Sequence, residues 1–338
     1  MSDEEGWKNF VAKGMGSRKK WNVTLMHHFC MDDLVNTAQS PDVFLGNMGK
    51  VAAQGGGNLH VRQVLHPGGK ATNCGSALES LDVRPRLLAR TSPLGKQLLT
   101  HFFGERDMDL SHVKTDGRLG FTVALEMEGA NVMLSDPGSS DDFGPELLSD
   151  EDIDLCRGVD VVVVSDWCHN RKGTDLAARV FSLAKDAGVK TFFDPGDPTP
   201  KGAEEAMEVK RLKDELFELD LVDMLSVNED EVNRFGGIDY LRDLCRVELH
   251  TSGYSQSIRG ERKSQRVPSF HLHAIKRLTG AGDTWNAGDI LGELLELDDE
   301  ARLLLANATA GCYISKDAPV HPTRGEVMDF IGSVELNP

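Results

Sequence analysis

No apolar run in the 338-residue chain is long enough to span a bilayer. The first twenty residues have mixed charge and no apolar stretch of signal-peptide type. A soluble, cytoplasmic protein with no membrane partner is therefore expected. Positive charge is scarce, with 37 Lys and Arg against 54 Asp and Glu, a net charge of −17. A field of that sign repels nucleic-acid phosphates, which argues against a general DNA- or RNA-binder. It also means that any nucleotide site must supply its own local positive potential. The six cysteines, Cys30, Cys74, Cys156, Cys168, Cys245 and Cys312, form no CxxC pair. Neither a zinc site nor a disulfide framework is indicated, and buried free thiols are expected. Internal repeats and low-complexity tracts are absent as well.

What the chain does contain is an alternation of strand and helix patterns. Strands are predicted at residues 23–29, 87–90, 159–164, 191–193, 224–227 and 247–250. Helices are predicted near 71–81, 95–103, 175–187, 204–218, 283–296 and 299–315. The valines at 161–164 suit a parallel strand covered on both faces. Short connections between such elements give an α/β fold, a three-layer sandwich around a mostly parallel central sheet. Two segments do not fit that layer. Residues 35–64 read as short strands with turns at Gly46-Asn47 and Gly55-Gly56-Gly57-Asn58. In residues 121–128, Phe121, Val123, Leu125 and Met127 alternate with Thr122, Ala124, Glu126 and Glu128, and a Glu128-Gly129 turn leads to a second strand. The expectation is an N-terminal extension over 1–20 and a domain over 21–338, with a small β-sheet lid from segments near 35–66 and 111–135.

The chemistry concentrates in Arg277-Leu278-Thr279-Gly280-Ala281-Gly282-Asp283-Thr284-Trp285-Asn286-Ala287-Gly288. A Gly-Ala-Gly turn has little side-chain bulk, so its N–H groups can approach an anion at the positive end of the following helix. Asp283 is placed to cap that helix. It is also placed to take a proton from a hydroxyl while the turn holds phosphoryl charge, the two needs of phosphoryl transfer to an alcohol. The Walker lysine is missing, so this is not a P-loop, and no GxGxxG follows the first strand, which disfavours a Rossmann dehydrogenase.

The segment 279–288 resembles the C-terminal signature of the ribokinase-like (PfkB) carbohydrate kinases. The resemblance implies Asp283 as general base and Gly280, Ala281 and Gly282 as the anion hole. Further landmarks follow in the family's order over nearly the whole chain after Lys20. Gly68-Gly69-Lys70-Ala71-Thr72-Asn73 is similar to a GGxxxN element in which the glycines and Asn73 hold substrate hydroxyls. Asp32 and Asp33, read as ending the first strand, both fit the family's substrate-binding aspartate, and a turn or N-cap fits them equally; Asp33 is the candidate carried forward. Asp166, at the end of a central strand, is a further substrate candidate by the rule that ligands collect at strand carboxyl ends. Asn228 and Glu231 resemble the NxxE element that acts through water on magnesium. Thr251 and Gly253 resemble the TxG turn near the nucleotide, and Thr279 and Asn307 are also assigned to the nucleotide.

By this resemblance the cofactors are ATP and Mg²⁺, the partners a sugar-like small molecule and a second copy of the chain docked through the lid. The acceptor class stays open between sugar, sugar phosphate, nucleoside and cyclitol, with a non-catalytic binding relative as the rival. Lys70, Arg90, Arg171 and Lys172 hint at a phosphorylated acceptor. Two departures stand out. Arg277 occupies a place where many relatives carry an aspartate that helps hold a monovalent cation. Thr91-Ser92-Pro93-Leu94-Gly95 stands where G-x-D-x-x-G is common.

Overall fold

In the computed structural model, which describes residues 3–128 and 130–337, the valine run is covered on both faces. Val161 and Val163 enter one core cluster, while Val162 and Val164 enter the other. That is the burial expected of a parallel strand between two helical layers. The first six strands are β1 (Asn22–His27), β2 (Cys30–Asn36), β3 (Arg62–Gly68), β4 (Arg84–Ala89), β5 (Gly120–Met127) and β6 (Ala130–Asp136). Seven more follow: β7 (Val161–Ser165), β8 (Lys190–Asp194), β9 (Met224–Val227), β10 (Arg246–His250), β11 (Tyr254–Arg259), β12 (Arg262–Lys263) and β13 (Val267–Pro268).

The large sheet has nine strands in the order β12-β11-β10-β9-β8-β7-β1-β4, with β13 paired to β11. From β4 to β10 the pairing is parallel, and β11 closes the edge antiparallel to β10. The carboxyl ends of β1, β7, β8 and β9 therefore share one edge. The helix Asp3–Met15 contributes Val11 and Met15 to the core, so the N-terminal extension packs against the main body. All six cysteines are free and buried, as expected. Among the described residues no helix is long and apolar enough to cross a membrane.

The second sheet has the order β3-β2-β5-β6 and stands apart from the first. Its limits differ from the expectation. The first strand ends at His27, and Asp32 and Asp33 lie inside β2, a strand of the small sheet, instead of closing β1. Residues 35–64 are not a run of short strands, because Pro41–Ala53 is a helix. Ser40 is its N-cap residue and Pro41 occupies the first turn, where the missing N–H costs nothing. Gly46 and Gly49 lie within it and mark no turn. The early part of the 111–135 segment runs along the main body, where Lys114 exchanges backbone bonds with Ala89 and Thr91. Gly129, half of the expected turn, lies outside the described residues.

The alternation read in β5 holds. Thr122 and Ala124 are buried, while Phe121 is 43% exposed on the other face beside Leu65 at 57% and Leu134 at 59%. The pairings Asp32↔His66, Leu34↔Val64 and Asn36↔Arg62 set one face of β2 and β3 towards a cleft; on the other face Leu65, Phe121 and Leu134 are exposed around Asp33, while Val35 is buried.

Candidate active site

Gly280 has φ 80°, in the left-handed region, and serves as N-cap of the helix Ala281–Leu294. The Ala281 N–H donates to Leu278 O at 3.1 Å and closes the turn. No side chain caps the helix. Asp283 is therefore not the cap anticipated from the sequence: at the third helical position its carboxylate points elsewhere. Oδ2 accepts from Asn73 Nδ2 at 2.9 Å, and Oδ1 lies 3.7 Å from Lys70 Nζ. The residue is 7% exposed. Burial pushes its carboxyl up to about 6, with Asp194 adding to the rise and Lys70 and Asn73 opposing it.

Lys70 begins the helix Lys70–Ser80, directly after Gly68 and Gly69. Neither position tolerates a side chain. A Cβ on Gly68 would sit 2.2 Å from Asp32 Oδ2, and Gly69 has φ 92° with His28 O only 2.6 Å from any Cβ. The Lys70 ammonium donates to Asp194 Oδ2 at 3.0 Å. Desolvation would lower its pKa, but the carboxylates of Asp194 and Asp283 outweigh that and hold it well above the usual lysine value. Asp194 ends β8 and also accepts from Asn286 Nδ2 at 2.8 Å; Asn286 Oδ1 in turn receives the Ser226 hydroxyl at 2.6 Å. The base candidate, an ammonium and a second carboxylate are thus locked together from four elements.

Two clefts meet here. One of about 310 Å³ lies under the lid and is lined by Asp32, Asn73, Thr279, Gly280, Arg277 and Tyr313, among others. The other, of about 700 Å³, is lined by Lys70, Asp194, Asn228, Glu231, Thr251, Ala281, Gly282, Trp285 and Asn307, among others. The turn 280–282 forms the partition between them. Thr279, assigned to the nucleotide, lines the lid-side cleft.

The remaining candidates divide. Asp32, not Asp33, lines the lid-side cleft; Asp33 is half-buried and paired opposite Leu65 on the other face of the small sheet. Asp166 is 2% exposed and engaged by His28 Nδ1 at 2.5 Å and His169 Nδ1 at 2.9 Å. Despite burial, these two rings hold its carboxyl well below the usual range, and it lines neither cleft. Asn228 and Glu231 form a capping box, the side-chain oxygen of Asn228 accepting from the N–H groups of Asp230 and Glu231. Thr251 Oγ1 accepts from Gly253 and Tyr254 N–H groups, which shapes the turn between β10 and β11. Asn307 accepts from Trp285 Nε1 at 2.8 Å and donates to Val267 O and Pro268 O. Of the four cations thought to hint at a phosphorylated acceptor, Lys70 lines the larger cleft and the other three are engaged elsewhere. Arg90 pairs with Asp116, Arg171 with Asp141 and Lys172 with Glu146.

Asp194 was missed in the sequence. The strand-end rule that selected Asp166 selects Asp194-Pro195-Gly196 equally well. Arg277 donates from Nη1 to Tyr313 O at 3.0 Å and from Nη2 to Asp317 O at 2.8 Å. Its guanidinium lies 5.3 Å from the centre of the Tyr313 ring.

No protein-family model matches the chain. Comparison with curated proteins finds the ATP-dependent ribose-1-phosphate kinase of Halopiger xanaduensis, 28% identical over 264 residues, which cover 75% of this chain and 83% of that protein. The ribokinase of Arabidopsis thaliana is 28% identical over 231 residues, 62% of this chain and 55% of that protein. Among solved structures, Arabidopsis thaliana ribokinase complexed with ribose and ATP superposes with a TM-score of 0.72 at 19% identity, over 93% of this chain and 99% of that one. The chain has the ribokinase-like fold and is similar in sequence to ribokinases. The α/β body and the separate small sheet are thus the ribokinase-like architecture, and the paired clefts lie at its sheet edge and under its lid.

Proposed function

We propose that this ribokinase-like protein transfers the terminal phosphoryl group of ATP to a hydroxyl of a sugar or sugar-like molecule. The observation that carries the reading is the position of Asp283, bonded to Asn73 of the lid-side cleft and 3.7 Å from Lys70, which lines the larger cleft. The acceptor hydroxyl gives its proton to the Asp283 carboxylate as its oxygen bonds to the terminal phosphorus and the bond to the departing nucleotide oxygen breaks. Lys70 offsets charge on the phosphoryl group in transit, and the helix start at 280–282 receives its oxygens. Asn73 and Asp32 are suited to sugar hydroxyls, since an amide offers donors and acceptors and a carboxylate accepts.

Magnesium fits the acidic wall of the larger cleft. Burial and the nearby Asp194 raise the Glu231 carboxyl, a sign of negative potential that a cation would relieve. Glu231 and Asn228 would hold it through water, and when bound it neutralises phosphate charge. The direct test is a coupled phosphoryl-transfer screen of sugars, sugar phosphates, nucleosides and cyclitols against ATP, ADP and GTP. Binding of these ligands without turnover of any would favour the non-catalytic alternative.

Arg277 supplies a fixed cation to main-chain carbonyls beside the turn, in the role for which relatives with an aspartate there recruit a monovalent ion. Turnover is expected to need no added potassium. Arg277→Ala should lose about tenfold in kcat, in line with two charge-assisted hydrogen bonds that hold the turn. Assays with and without potassium check this, and strong potassium activation of the unmodified protein would refute the role.

The outer face of the lid, with Leu65, Phe121 and Leu134, is suited to a second copy of the chain. Sedimentation velocity should report a dimer that Leu134→Glu converts to monomer. A monomeric unmodified protein at high concentration would exclude this use of the face.

A further inference from the structure

Where β7 ends, the chain turns sharply through Asp166-Trp167-Cys168-His169. Asp166 has φ 63° and ψ 34°, a left-handed conformation that costs strain in a residue with a side chain. The Asp166 N–H donates to Asp194 O at 2.9 Å and the Cys168 N–H to Pro195 O at 3.0 Å, so the turn is sewn to the end of β8. This backbone brings three side chains of different chemistry to one point.

Cys168 Sγ lies 3.3 Å from Asp166 Oδ1, His169 Nδ1 lies 2.9 Å from the same oxygen, and Sγ and Nδ1 are 3.4 Å apart. Around a tetrahedral zinc ion, with bonds of about 2.0 Å to oxygen and nitrogen and about 2.3 Å to sulfur, neighbouring ligand atoms stand about 3.3 to 3.6 Å apart. The triangle therefore has nearly the edges of a tetrahedral face. Its surroundings fit an ion as well. Gly196 puts no side chain on the flank of the triangle, where a Cβ would come 2.9 Å from Sγ and 3.9 Å from Oδ1. Lys70 approaches the same point with Cε, its ammonium held by Asp194. The His169 side chain is 29% exposed, which gives an ion and a water ligand a way in. His28 Nδ1, 2.5 Å from Asp166 Oδ2, stands where an outer partner orients a ligating carboxylate.

The donor set selects the ion. A thiolate and an imidazole beside one carboxylate suit zinc and its neighbours, whereas magnesium and calcium prefer oxygen alone. Thiolate and carboxylate together balance a dication, so the occupied site is neutral and burial is not costly. We infer that Asp166, Cys168 and His169 bind a zinc-type divalent ion through Oδ1, Sγ and Nδ1, with water as the fourth ligand. Binding expels the thiol proton of Cys168, and the His169 ring keeps its hydrogen on Nε2. Neither cleft is lined by any of the three residues, so this site is separate from the centre proposed for phosphoryl transfer and from its magnesium. A bound ion ties the end of β7 to the segment that carries Asp194, the partner of Lys70. Only one cysteine takes part, which is why no CxxC spacing announces the site.

Cobalt(II) reports this geometry directly, because thiolate ligation gives a charge-transfer band in the near ultraviolet and four-coordination gives intense visible bands. Protein stripped with a chelator should take up a single Co²⁺ per chain with both signatures. Zn²⁺ should displace it and erase them, and excess Mg²⁺ should not. Cys168→Ser should lose the charge-transfer band, while Cys312→Ser, in the helix Asp299–Ser315, should keep it. His169→Ala, at a partly exposed position, should keep its fold and weaken Co²⁺ binding by about 100-fold or more. Zn²⁺ should raise the melting temperature of the unmodified protein and leave that of His169→Ala unmoved. Absence of the charge-transfer band, its survival in Cys168→Ser, Co²⁺ affinity unchanged in His169→Ala, or displacement by Mg²⁺ overturns the inference.

Discussion

Asp283→Asn should lower turnover by about 100-fold or more, the contribution expected of a positioned general base, with nucleotide binding and fold retained. The amide is nearly the same size and can still meet Asn73, so the contact at 2.9 Å need not be lost with the charge. The unmodified protein carries a second signature. The proposed base, Asp283, has a carboxyl pushed up to about 6. The base works deprotonated, so kcat/KM should fall about tenfold for each pH unit below about 6 and level off above it. A profile flat from pH 5 to 7, or near-normal turnover in Asp283→Asn, would remove Asp283 from the base role.

Lys70→Met should cost about 100- to 1,000-fold in kcat, the range seen when one preorganised stabiliser of transition-state charge is removed. The side chain keeps its length and loses its ammonium, which leaves Asp194 and Asp283 facing each other without a cation between them. Because Lys70 lowers the Asp283 pKa, its loss should also move the acid limb of the pH profile upward from about 6. Both effects together are needed. A fall in kcat with an unmoved acid limb would mean that Lys70 does not act on Asp283, and its loss would then be structural.

The motif 279–288 was legible because its chemistry is local: turn, helix start and carboxylate lie within a few residues. The layers were legible for the same reason, since runs such as valines 161–164 state their burial directly. The partners of Asp283 were not legible from local pattern. Asn73 is 210 residues away from it in sequence, and Lys70 is 124 away from Asp194. What unites them is the sheet order, which puts the ends of β1 and β8 on one edge. Asp32 and Asp33 could not be separated before the register of β2 against β3 was known, because a one-residue shift reverses the face of every side chain. The helix Pro41–Ala53 was obscured by Gly46-Asn47, which reads as a turn when weighed without the Ser40-Pro41 start before it.

The helix Ala281–Leu294 begins on a glycine and has no side-chain cap. A serine or aspartate cap is typically worth about 1 kcal/mol, so this helix gives up stability that most helix starts retain. On the proposed function, the same N–H groups that a cap would satisfy are the ones that meet the phosphoryl oxygens. Selection for a hardier protein and selection for a faster one therefore pull on this residue in opposite directions. A library screened for heat resistance alone would drift towards variants that close the helix start, and its most durable members would be the least able to bind an anion there.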